Sequence, residues 1–274
     1  MTRSLLLLSL ATGALMVPVP ASSAATELSI REINVRPAEP VVTPDNSIRL
    51  LVDVVARGAR GKNGVTISVE PGTPPGPVIG SEWQDPGPGA AADMIGPPAP
   101  QAPRPQPRVP EMTSWPDGRR EARGEGWETW RFLPDKALTR YYPAGTWTVT
   151  ATARGADGET LTRYASFQLR RETKLSAVQA DKASGSRAVR LTGSLNRVNP
   201  RGYTDYSPFA EQQVEIQWRK DEASAWERAG AATTTSEGTF TKTIANRTGG
   251  SWRVQYPGTS HYAPDFSKTL QIAS

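Results

Sequence analysis

The chain has 274 residues, no cysteine, one histidine, and 32 basic against 27 acidic residues for a formal charge of +5. The missing thiols exclude a disulfide framework, thiolate metal sites and thiol nucleophiles together, and one imidazole cannot supply the ligand sets that transition metals take. The surplus charge is small and dispersed, so no basic stripe tracks a phosphate backbone and no nucleic-acid partner is expected.

The first segment reads as an export leader. Arg3 supplies a short positive region, Leu5 to Leu10 an apolar stretch, and Ser22-Ser23-Ala24 a small-residue cleavage signature, with cleavage expected near Ala24. Residues 1-24 form the expected signal peptide, and without Arg3 the balance is 31 basic minus 27 acidic, or +4. Pro18 and Pro20 interrupt the apolar stretch, and no later run approaches the roughly 18 apolar residues of a membrane span. The mature chain is therefore expected to be secreted, with no membrane span.

The first expected domain covers 25-172. Leu28, Ile30, Ile33 and Val35, then Ile48 to Val55, then Val65 to Val69 read as three strands bounded by proline, glycine or asparagine. The pattern then fails at about 71-118, which holds 14 of the 25 prolines and seven glycines. No hydrogen-bonded ladder tolerates that proline density, so the segment reads as a long insertion between strands of one domain, polyproline-like around Pro97 to Pro103. Arg104, Arg108, Arg119, Arg120, Arg123 and Arg131 cluster at its end but alternate with Glu111, Asp117, Glu121, Glu125 and Glu128. Strand periodicity returns at Trp127 to Phe132, Gly145 to Ala153 and Leu161 to Leu169, the last after an Ala156-Asp157-Gly158 turn.

The second expected domain covers 173-274. Strands are expected at Ala188 to Leu195, Val214 to Arg219, Trp226 to Thr234, Phe240 to Ile244, Trp252 to Tyr256 and Phe266 to Ile272, separated by turn residues at Asp221-Glu222, Ser236-Glu237-Gly238 and Pro257-Gly258. Short strands at this spacing, with no window of 3.6 periodicity, predict an all-β protein.

The two halves end on the same device. Ala144-Gly145-Thr146-Trp147-Thr148-Val149 and Gly249-Gly250-Ser251-Trp252-Arg253-Val254 each place a glycine bend before a tryptophan that opens an alternating run. The period of two puts Trp147, Val149 and Ala151 on one face, and Trp252, Val254 and Tyr256 on another. With Leu191 to Leu195, Phe209 to Arg219, Gly250 to Ser260 and Ala263-Pro264, the second domain resembles the bacterial immunoglobulin-like modules of secreted proteins from high-GC Gram-positive, actinobacterial-type bacteria. The first, through Ala144 to Ala151 and Ala156-Asp157-Gly158, is similar to the module that precedes it in such proteins. The resemblance implies two tandem immunoglobulin-like antiparallel β-sandwiches; the long Pro/Gly-rich insertion expected in the first lies outside it. It implies no reaction, cofactor or shared binding residue.

Chemistry is sparse. Ser260, His261 and Asp265 nominally supply a nucleophile, a base and an orienting acid, but neighbours on an extended segment point to opposite faces, so Ser260 and His261 are not expected to share a proton. Asp45, Asp157, Glu159, Asp205, Asp221 and Asp265 are oxygen donors for calcium, yet they are scattered singly and lack the spacing of a calcium loop. No catalytic residue, metal ligand or cofactor is therefore expected. Trp147, Trp252 and Trp218 read as core, and Trp127 and Trp130, three apart, face oppositely. Trp83 and Trp115 in the insertion, with Tyr203 and Tyr206 in the Gly202 to Phe209 connection, are the candidate ligand-contact aromatics.

The expectation is a non-catalytic extracellular binding or structural module. Its candidate partners are an extracellular protein or a cell-envelope polysaccharide. A calcium- or carbohydrate-binding accessory protein of the cell envelope and a passive spacer scaffold are the alternatives.

Overall fold

The computed structural model describes residues 27–79, 119–122, 126–183, 187–247 and 249–273. The expected leader and most of the insertion, including Trp83 and Trp115, lie outside the described residues. No helix occurs among those that are described.

In chain order the first strands are β1 (Ser29–Arg36), β2 (Val41–Val42), β3 (Leu51–Arg57), β4 (Val65–Pro71), β5 (Arg119–Ala122), β6 (Trp127–Phe132), β7 (Gly145–Arg154) and β8 (Thr160–Arg171). They form one sheet of order β1-β3-β6-β5 and a second of order β2-β8-β7-β4, in which only the short β2 runs parallel to its neighbour. Lettered as A, A′, B, C, D, E, F and G, these are the ABED and A′GFC sheets of an immunoglobulin-like sandwich. The proline-rich stretch then occupies the C–D connection, between β4 and β5.

The second set runs β9 (Thr173–Lys182), β10 (Ala188–Val198), β11 (Tyr206–Pro208), β12 (Gln213–Arg219), β13 (Glu227–Thr233), β14 (Thr239–Ala245), β15 (Gly250–Tyr256), β16 (Asp265–Phe266) and β17 (Leu270–Ile272). Here β10 is flanked by β9, β11 and β14, and the opposing sheet is ordered β13-β12-β15 with β16 and β17 beyond β15. The partition is again A, B, E against C′, C, F, G. The all-β expectation holds, and both sandwiches are antiparallel apart from β2.

The short strands β2, β5 and β11 were not expected from the sequence, and three further elements depart from its pattern for local reasons. Ile48 forms an isolated bridge with Leu138 and the strand proper starts at Leu51. Strand β9 went unread because Ala177 takes φ 50° and its register with β10 shifts between Thr192 and Ser194, which breaks the period of two. The last expected strand, Phe266 to Ile272, is split into β16 and β17 where Ser267 uses its hydroxyl to accept the Val254 amide at 2.9 Å.

Each sandwich closes over its own apolar cluster. The first joins Val52, Val54, Trp130 and Phe132 of one sheet to Ile67, Trp147, Val149 and Leu169 of the other; the second joins Val189, Leu191 and Phe240 to Ile216, Trp252, Val254 and Tyr256. Trp147 stacks on Phe167 with ring centroids 6.1 Å apart, meets Tyr142 edge-on, and donates its indole N–H to the Pro143 carbonyl at 2.9 Å. Trp130 is buried, while Trp127 faces the other way, under the guanidinium groups of Arg31 at 4.6 Å and Arg57 at 5.1 Å.

The glycines before the tryptophans are a backbone requirement. Gly145 has φ 115° and Gly250 φ 97°, a region that side chains disfavour, and a Cβ on Gly250 would lie 2.6 Å from the Arg219 carbonyl.

Thr148 is buried although it faces outward, because the start of the insertion crosses that face. Its hydroxyl donates to the Gly72 carbonyl at 2.7 Å, and the segment then reaches β8, where the Ile79 amide donates to the Tyr164 carbonyl at 2.9 Å.

Two substitutions test the second core. Trp252→Ala should cost about 3–5 kcal/mol in denaturant unfolding. Gly250→Ala should cost at least about 2 kcal/mol from forbidden φ and the backbone clash. A loss under about 0.5 kcal/mol for either would contradict the packing described.

Candidate functional site

The chain passes from β8 to β9 through one residue, Glu172. Backbone bonds grip that passage from both sandwiches: Glu172 N–H donates to Val42 O at 3.0 Å, Val198 N–H to Glu172 O at 3.0 Å, Arg171 N–H to His261 O at 2.9 Å and Ala263 N–H to Arg171 O at 2.9 Å. The Arg171 side chain reaches back to the first sandwich, donating Nη2 to the Tyr142 carbonyl at 2.8 Å and Nε to the Arg140 carbonyl at 3.3 Å. Burial pulls its pKa down, while the Tyr262 hydroxyl pulls it up. Arg171 is thus a pivot whose backbone belongs to one loop cluster and whose guanidinium belongs to the other.

Aromatic residues complete the seam. Tyr206 of β11 donates its hydroxyl to Glu172 Oε2 at 2.5 Å, and the Lys174 ammonium lies 5.4 Å from its ring centroid. Burial first, then the hydrogen bond and charge of Glu172, raise the Tyr206 pKa well above the ordinary phenol value. Arg197 lies over Phe209 at 4.8 Å and Tyr262 at 5.5 Å, and donates to the Tyr262 hydroxyl at 3.0 Å.

Of the two candidate aromatics within the described residues, Tyr206 is half-buried with its hydroxyl engaged, whereas Tyr203 is 83% exposed. Beside it, Gly202 packs on the ring of Tyr141, itself 65% exposed, and Arg140 donates to Thr204 O and Asp205 Oδ1, each at 3.4 Å. Sequence reasoning missed Tyr141. Its only signal was a pair of tyrosines after Arg140 with no alternation to bury both.

The Ser260–His261 expectation is corrected. Ser260 Oγ and His261 Nδ1 are hydrogen-bonded at 2.9 Å, because Ser260 to Tyr262 form a bend rather than an extended run. Asp265 does not join them: its Oδ2 accepts the Leu175 amide at 2.7 Å, and the far side of the imidazole packs on Gly145. Among the described residues no carboxylate is hydrogen-bonded to the imidazole.

The carboxylates weighed as calcium donors cap loops. Asp157 Oδ1 accepts the Glu159 amide at 3.3 Å, Asp221 Oδ1 accepts the Ser224 hydroxyl at 2.7 Å, and Asp45 stands exposed. The Ser224 hydroxyl is the main reason the Asp221 pKa is lowered. Among the described residues no group of three or more histidine, aspartate or glutamate side chains gathers to hold a metal.

Sequence reasoning also missed Asp53, 3% exposed, held between Arg36 and the Nε of Arg131 at 2.8 Å. A lone aspartate in an apolar strand carries no mark of its future partners, since Arg131 is 78 residues away. Trp218, expected in the core, sits at its rim opposite Trp252 with Arg247 3.9 Å over its ring, bordering an open cleft of about 530 Å³.

No protein-family profile matches the chain, and no curated protein matches it either. Among solved structures, it is similar to a tetra-tandem repeat in the extending region of a large adhesion protein, at 15% identity and TM-score 0.28, covering 88% of this chain and 49% of that one. It is also similar to murine CEACAM1b, at 11% identity and TM-score 0.38 over 90% of this chain and 99% of that one, and to the D00-D0 domain of intimin, at 12% identity and TM-score 0.26 over 89% and 100%. The chain spans about half the length of the first of these. At such low similarity the likenesses carry no functional argument, and the fold rests on the sheets themselves.

The seam predicts a pH response. Because the folded pKa of Tyr206 lies above its unfolded value, the stability it lends is complete below about pH 10 and drains as pH rises from there toward the folded pKa. Wild-type protein should lose unfolding free energy above about pH 10, and Tyr206→Phe should lose less across the same window in denaturant titrations. Parallel pH profiles for the two proteins would refute the coupling.

Proposed function

We propose that the chain is an exported, non-catalytic protein whose two immunoglobulin-like modules, 25-172 and 173-274, act as one stiff extracellular binding or structural element. The Arg3, Leu5 to Leu10 and Ser22-Ser23-Ala24 pattern supports export and cleavage near Ala24, and a chain without cysteine suits an exterior role only if packing alone holds it. Non-catalysis is supported by the use of the polar groups. Among the described residues no carboxylate is hydrogen-bonded to the imidazole of Ser260–His261, and Asp53, Asp221 and Asp265 are committed to neighbouring hydrogen bonds.

The observation that carries the reading is the Arg171 pivot. Tandem modules move independently by default unless the junction is built against it. Here one connecting residue and three backbone hydrogen bonds, Val198 to Glu172, Arg171 to His261 and Ala263 to Arg171, tie the modules together, while the Arg171 guanidinium is set between the Arg140 and Tyr142 carbonyls of the first module and the Tyr262 hydroxyl of the second. A stiff joint holds whatever faces outward at fixed spacing. The exposed Tyr141 and Tyr203 beside the seam offer one such contact surface, with an extracellular protein or a cell-envelope polysaccharide as the partner class.

Small-angle scattering tests this. Wild-type protein should scatter as a single elongated particle. Arg171→Ala, which forfeits about 1–3 kcal/mol of hydrogen bonding to buried carbonyls, should raise the radius of gyration with an unchanged circular dichroism spectrum. A wild-type curve already fitting two freely jointed bodies would overturn the proposal.

A further inference from the structure

The outer face of the β13-β12-β15-β16 sheet holds a second aromatic surface, remote in sequence from Tyr203. Because Trp252, Val254 and Tyr256 point into the core, Arg253 and Gln255 of β15 point outward, opposite Gln217 and Glu215 of β12. The Arg253 guanidinium lies 4.2 Å from the Trp226 ring centroid and 4.8 Å from that of Phe266, which is 47% exposed. Its Nε donates to Gln217 Oε1 at 2.7 Å, and Gln217 is itself fixed by donating Nε2 to Gln255 Oε1 at 2.6 Å. A second guanidinium, Arg219, lies 4.8 Å over the same indole and donates Nη1 only to the Glu222 carbonyl at 3.3 Å.

Two features call for a ligand. Among the described residues neither Arg253 nor Arg219 forms an ion pair, although Glu215 and Glu227 are near enough to pair with Arg228 at 3.6 Å and Arg247 at 3.1 Å. The two like charges also act on each other: burial and the Arg219 charge both lower the Arg253 pKa. An uncompensated pair of guanidiniums on one indole costs free energy that an oxyanion would return. With Nε occupied, the terminal nitrogens of Arg253 remain as an oriented fork for a carboxylate.

We propose that this face binds an acidic polysaccharide, Arg253 taking a sugar carboxylate through its terminal nitrogens while Phe266 and Trp226 lie under the sugar rings. Sugar rather than peptide is favoured because the backbone here is spent in the sheet ladder, which leaves a flat face without the main-chain partners that an extended peptide uses. The assignment rests on the binding-module reading above. The scattering result on Arg171 concerns the seam, so the two fail separately.

The test is calorimetric titration of the purified protein with polygalacturonate, with its fully methyl-esterified form and with poly-glutamate, at physiological salt. Polygalacturonate should bind, and the other two at least about tenfold more weakly. Arg253→Lys, which keeps the charge and removes the fork, should weaken binding about tenfold, and Phe266→Ala about fivefold. Arg163→Gln, which removes a positive charge from the first sandwich, should leave it unchanged. No binding of polygalacturonate, equal binding of the ester or of poly-glutamate, or indifference to both Arg253→Lys and Phe266→Ala would overturn the proposal. Phe266 is a surface residue, so its variant keeps the test decisive if Arg253→Lys fails to fold.

Discussion

Each sandwich depends on an indole buried just after a glycine whose positive φ disfavours any side chain. Immunoglobulin-like sandwiches of antibodies pin their sheets with a disulfide between strands B and F, worth about 2–4 kcal/mol as a cross-link. This chain has no cysteine. Instead Trp147 and Trp252 open the two F strands and lie fully buried. An aromatic side chain burying about 150–250 Å² contributes on the order of 4–6 kcal/mol of transfer free energy as an upper bound, so packing matches what the covalent bond would supply. The bends at Gly145 and Gly250 set the strand so that alternation delivers the indole inward.

That logic is local, which is why it was legible in the sequence. Trp147-Val149-Ala151 and Trp252-Val254-Tyr256 alternate within a few residues, and alternation is decided by strand geometry alone. Of the proline-dense region, expected to hold no ladder, the described start still pairs, Pro71 with Trp147 and Val78 with Tyr164. What escaped was set by residues far apart or by departures from regular backbone. The Ser260–His261 bond depends on a bend that breaks the rule used to exclude it. The seam joins Arg171 to Arg140 and Tyr142 on one side and to His261 on the other, separations over which sequence gives no register. Along its own strand Arg253 is one polar position of an alternating run, and only the pairing with β12 brings Gln217 beside it.

Arginine does the polar work of this fold, in three environments that differ by partner. Arg36 and Arg131 neutralise the buried Asp53, an ion group whose parts would be costly to leave alone. Arg171 is buried against carbonyl oxygens, which satisfy its donors without cancelling its charge. Arg253 rests between aromatic rings and a glutamine that accepts from its Nε. The first use is inward and closed, the second holds the end of β8 where the two modules meet, and the third lies on the outer face of a sheet.

The strap laid across β7 and β8 has a bearing on solubility. Strand β8 is 12 residues long and borders its sheet, and a long bare border is a template on which a second chain can add a strand and start a fibril. Two short parallel segments interrupt it, β2 at Arg170 and Arg171 and Val78 with Ile79 at Tyr164. They divide the bare border into Thr160 to Arg163 and Ala165 to Leu169, each shorter than the roughly six residues of a fibril-forming segment. The first residues of the proline-rich region thereby shield the molecule from its own copies, a duty independent of anything the rest of that region contacts.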